Sequence, residues 1–124
     1  MEKQNIQNSS YLQREKNFFR TITSEDTFQV IVGRYDNILL LWQDEFYMKE
    51  YLTACRKRII LSKIDTISFL KWIKENKQEF HFFLHPVFEQ NIPEISKKEL
   101  IEKTISRIES DGDFYSTLKE NNLL

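Results

Sequence analysis

The sequence predicts an α+β domain: a mixed, mainly antiparallel sheet of about four strands covered by helices, in the order α-β-β-α-β-α-β-α. Three observations predict it. Apolar residues switch repeatedly between helical spacing and strand alternation along the 124 residues. Two glycines and two prolines supply only short turns, which excludes linker-rich and glycine-loop architectures. A hydrophobic share of 40%, with 14% aromatic, provides one core at this length without the help of a metal or disulfide. The expectation is a single globular domain over residues 1–124, with 1–9 as a flexible N-terminus.

Ser10, followed by Gln13 at capping-box spacing, opens a helix over residues 10–22 with Tyr11, Leu12, Phe18, Phe19 and Ile22 near helical spacing. From Thr27 the period changes to two, placing Phe28, Val30 and Val32 on one face of a strand. Gly33-Arg34-Tyr35-Asp36-Asn37 carries turn chemistry, and the unbroken apolar run 38–42 completes a hairpin whose second strand is buried on both faces. Asp44 caps a helix with Tyr47, Met48, Tyr51, Leu52 and Cys55 on its stripe, and Arg56-Lys57-Arg58 complement its C-terminus.

Residues 59–64 read as a third strand. Asp65 then caps a short helix with Ile67, Phe69, Leu70, Trp72 and Ile73 in a wide apolar sector. Residues 79–85 alternate as a fourth strand that Pro86 ends by removing a ladder donor. Ser96 with Glu99 forms a second capping box before Ile101, Ile105 and Ile108, and the tail from Asp111 has room for a last short helix. Val30, Leu40, Ile60, Leu70, Phe82, Leu84, Ile101 and Ile105 are the expected core.

Chemistry-bearing patterns are few. His81 and His85 are four apart, but on a strand that spacing spans about 13 Å, several times a zinc–nitrogen bond, so no metal site is expected. A surface pair is the reading, with His85 in a shallow groove at the strand end. Cys55, beside three cations, lies on an apolar helix stripe and is expected as a buried, unreactive thiol. The phosphate-cradling loops are absent, because Gly33 and Gly112 are the only glycines. Residues 109–113 lack the spaced ligands of a calcium loop, and the pairs Asp44–Glu45 and Asp111–Asp113 read as solvated surface. No catalytic residue, cofactor or metal is assigned.

One cysteine fits a reducing compartment, hence the cytoplasm, and the longest apolar run is too short to cross a bilayer. With 18 basic and 19 acidic residues, the net charge of −1 gives no field favouring nucleic acid. A basic patch, Arg56 to Lys63 near Trp42, Tyr47 and Tyr51, is the basis of a nucleic-acid alternative.

Several anchors resemble a small bacterial family, the domain of unknown function numbered twenty-seven fifty. They are Leu41-Trp42, Asp44, the run Ile64-Asp65-Thr66-Ile67-Ser68-Phe69-Leu70, His85-Pro86-Val87-Phe88 and Ile95-Ser96, within residues 27–109. The resemblance implies the fold. It carries no catalytic residues, since that family has none established, and Leu41 stands before Trp42 where its members often have proline.

The leading functional expectation is a non-enzymatic domain that binds a protein, in the manner of bacterial immunity proteins that occlude a toxin domain. The last third, from Glu89 onward, has eight acidic and five basic residues. There Glu94, Glu99, Glu102, Asp111 and Asp113 are expected to ring Phe114 and Tyr115 as the partner-binding surface, because desolvated aromatics anchor and rim charges steer encounter. The alternative is a small enzyme or ligand-binding domain using His81 or His85 in a pocket between sheet and helices.

Overall fold

A computed structural model describes residues 10–55, 58–87, 91–111 and 115–123, with backbone alone for Glu109, Ser110, Asp111, Tyr115 and Thr117. The elements are α1 (Tyr11–Ile22), β1 (Gln29–Tyr35), β2 (Ile38–Trp42), α2 (Glu45–Ala54), β3 (Ile60–Asp65), α3 (Thr66–Glu75), β4 (His81–Leu84), α4 (Lys97–Asp111) and α5 (Tyr115–Glu120). The α+β class and the predicted order hold, with α5 as the last helix. Residues 1–9, expected to be flexible, and Arg56-Lys57 of the basic triplet lie outside the described residues.

Four helices start where a short polar side chain can accept an otherwise orphaned backbone N–H. Ser10 Oγ accepts from Gln13 at 3.4 Å, Asp44 Oδ1 from Phe46 at 2.9 Å, Asp65 Oδ2 from Ser68 at 2.9 Å and Ser96 Oγ from Glu99 at 3.1 Å. Such a cap stabilises a helix by about 1 kcal/mol.

The strands form one sheet in the order β3-β1-β2-β4. β1 runs antiparallel to both β2 and β3, while β4 joins β2 in parallel, which makes the sheet mixed. Tyr35 faces Ile38 across the hairpin, so the turn is only Asp36-Asn37, with Asp36 at a φ of 53°. Gly33 therefore lies inside β1 rather than in the turn. Its lack of a side chain serves packing, because a Cβ there would meet Ile59 Cγ2 at 2.8 Å and Trp42 Cζ3 at 3.0 Å.

Helices cover both faces. Val30, Val32, Leu39, Leu41, Phe82 and Leu84 pack with α1, α3, α4 and α5, whereas Ile31, Leu40 and Trp42 pack on the opposite face with Tyr47 and Met48 of α2. β2 is accordingly buried on both sides, as its unbroken apolar run requires.

Three expected core positions differ. Ile60 is 68% exposed, because β3 is one of the two outer strands of the sheet. On α4 the buried stripe is Leu100, Thr104 and Ile108, and Ile101 and Ile105 flank it half-buried. Thr104 hides among apolar neighbours by donating its hydroxyl to the Leu100 carbonyl at 2.7 Å.

Candidate functional site

At the C-terminal ends of the paired strands β2 and β4 the chain buries a polar cluster. β4 ends at Leu84, and His85 then takes a φ of 45°, a left-handed conformation uncommon for a residue with a side chain. Its backbone N–H donates to the Leu41 carbonyl at 2.7 Å, which fixes the turn against β2. The imidazole is fully buried, its ring centre 4.3 Å from that of Tyr47, and its Nδ1 meets the Gln43 amide nitrogen at 2.8 Å. Trp42 Nε1 donates to the Pro86 carbonyl at 3.3 Å and closes the corner.

Burial, and secondarily the charge of the buried Arg14 on α1, push the His85 pKa down to about 3. Burial likewise lowers Arg14, and burial followed by the Asp44 carboxylate raises Tyr47 to about 12. Near neutral pH this cluster neither gains nor releases protons, and His85 has no contact with solvent. That corrects the expectation of a shallow groove: Tyr47 of α2 and Gln43 enclose the ring at the strand end.

His81 is exposed and bridged to Glu94, with Nδ1 2.8 Å from the carboxylate. The two histidines thus occupy different environments, one at the surface and one sealed. Among the described residues, no group of three or more histidine, cysteine or acidic side chains is placed to hold a metal. Cys55 is half-buried instead of buried. It stands just past α2 in extended backbone, where burial and then Cys55 itself raise the Tyr51 hydroxyl.

Of the acidic residues predicted to form one patch, three each lie beside a basic side chain or a histidine. Glu94 holds His81, Glu99 lies 3.1 Å from Lys103, and Glu102 lies 4.0 Å from Lys98. Asp111 ends α4 and Tyr115 begins α5, but their side chains, with Asp113 and Phe114, lie outside the described residues.

Glu102 nevertheless borders a feature with binding geometry, an open groove of about 490 Å³ between α1 and α4. Phe19 forms its floor, and Leu12, 76% exposed, stands on one wall. Lys103 bridges Glu15 across the helices and Glu99 along its own, which raises its pKa through those hydrogen bonds. Arg107 lies further along the same wall. The α1 side was missed as a surface because Leu12 reads as part of the buried stripe. Its spacing with Glu15 and Phe19, i, i+3 and i+7, does mark one helix face.

No protein-family model, curated protein or solved structure matches this chain. No described helix is long and apolar enough to cross a membrane.

Proposed function

We propose that this chain works by binding a protein partner, in the manner of bacterial immunity proteins that occlude a toxin domain. The observation that carries this reading is the α1–α4 groove, in which an exposed Leu12 stands over Phe19 between rims of charged side chains. An apolar centre that a partner can desolvate supplies affinity, and the surrounding charges orient the encounter. Glu102 keeps one member of the predicted acidic surface on that rim.

The sealed imidazole of His85 counts against that histidine as a general acid or base, which must reach its substrate, and leaves the enzyme alternative to the exposed His81. The test is protection of cells co-expressing a toxin gene that neighbours this one, using wild type, Leu12→Asp and Glu102→Lys. Protection is expected from wild type, loss from Leu12→Asp, and slower association with a weakened salt dependence from Glu102→Lys, all with unchanged circular dichroism. Undiminished protection by both variants would sink the groove. Turnover of a small substrate abolished by a His81 substitution would replace binding with catalysis.

A further inference from the structure

We propose that two copies of this chain join through their β3 strands, continuing one sheet across a two-fold axis at Ser62. Among the described strands β3 pairs only with β1, and its outer edge exposes Ile60 and Leu61 at 68% and 42%. Natural edges are blunted by charge, most often lysine. Here the Lys63 ammonium is drawn to Glu45 of α2, away from the backbone edge.

The ladder selects which groups face outward. Gln29 stands opposite Asp65, so the next pair is Phe28 with Thr66, and the Thr66 N–H donates to the Phe28 carbonyl at 3.0 Å. Antiparallel ladders alternate, so Ile64, Ser62 and Ile60 also point their backbone groups at β1, and Leu61, Lys63 and Asp65 turn theirs to the free edge.

A second β3 centred on Ser62 uses that pattern. Leu61 exchanges hydrogen bonds with Lys63 of the partner subunit, and the symmetry repeats the pair. Ile60 then faces Ile64 of the partner subunit in a closely spaced, non-hydrogen-bonded pair, and Ser62 faces its own copy. Centring on Leu61 would set Ile60 against serine, and centring on Lys63 would oppose two lysines.

The sheet face bearing Ile60, Ser62 and Ile64 also borders a mainly apolar trough of about 380 Å³, lined further by Val32, Leu39, Trp72 and the Arg34 side chain. The incoming isoleucines would cover its mouth. None of the α1–α4 groove residues takes part, so this pairing stands or falls independently of the proposed partner.

The experiment is sedimentation equilibrium of the full chain over a wide concentration range. Wild type is expected to dimerise. Ser62→Lys and Ser62→Glu should each weaken association at least about tenfold by opposing like charges, and mixing the two should restore it. Leu61→Pro, which removes an outward N–H and leaves the β1 ladder intact, should give a folded monomer. In a Cys55→Ser background, Ser62→Cys should yield a disulfide-linked dimer under mild oxidation, because the paired positions are close enough to bridge. A wild type that stays monomeric at high concentration overturns the proposal. A dimer indifferent to both charged variants does the same.

Discussion

The imidazole Nδ1 of His85 lies 2.8 Å from the side-chain amide nitrogen of Gln43, one residue beyond the end of each of two parallel strands. The amide donates and the imidazole accepts, so the ring in this arrangement is neutral. Both side chains are sealed from water.

That neutrality sets a pH dependence. The unfolded chain protonates this histidine near 6.5, while burial and Arg14 hold the folded value at about 3. Between those values the unfolded state binds the extra proton, so stability falls as pH drops through the window, by about 1 kcal/mol per pH unit. His85→Asn, which tolerates the positive φ, should flatten that slope in urea titrations at pH 4 to 7.

Gly33→Ala should destabilise the fold by about 1–3 kcal/mol, since its Cβ collides with Ile59 and the rigid, buried ring of Trp42. Adding Ile59→Ala removes the nearer obstacle and should restore part of the loss, read from denaturation midpoints.

Thr66 begins α3 and donates its buried hydroxyl to the Ile22 carbonyl, at the end of α1, at 2.6 Å. Thr66→Val keeps the shape and deletes this donor, so a cost of about 1–3 kcal/mol is expected in chemical denaturation.

Phe82→Ala should cost about 3–5 kcal/mol, because a fully buried ring is removed from the core between the sheet and the helices on that face. Ile60→Ala should change the stability of the monomer by no more than about 0.5 kcal/mol. Similar costs for the two, measured at dilute concentration, would contradict the placement of β3 at the sheet edge.

The features legible in the sequence depend on near neighbours. Ser10, Asp44, Asp65 and Ser96 cap helices because cap chemistry is settled within three residues, and the run of β2 announces burial on both faces by composition. What could not be read depends on strand order. Ile60 looks like a core residue until β3 proves to be an outer strand, and His85 looks like a surface residue at a strand end until Tyr47 of α2 proves to cover it. The groove escaped for the same reason, since only the packing of α1 beside α4 brings Leu12 near Glu102.

The order in which the strands are laid down has a consequence for synthesis. β3, β1 and β2 all lie within one stretch of chain and can pair as soon as it is made, but the parallel partner of β2 arrives only after α2, β3 and α3. Until then the most apolar strand of the protein presents a bare edge, and contacts that distant in sequence form slowly. Pulse-labelled hydrogen exchange should find the β4 amides protected last, and a nascent chain stalled before residue 81 should be the species that chaperones hold and that aggregates without them.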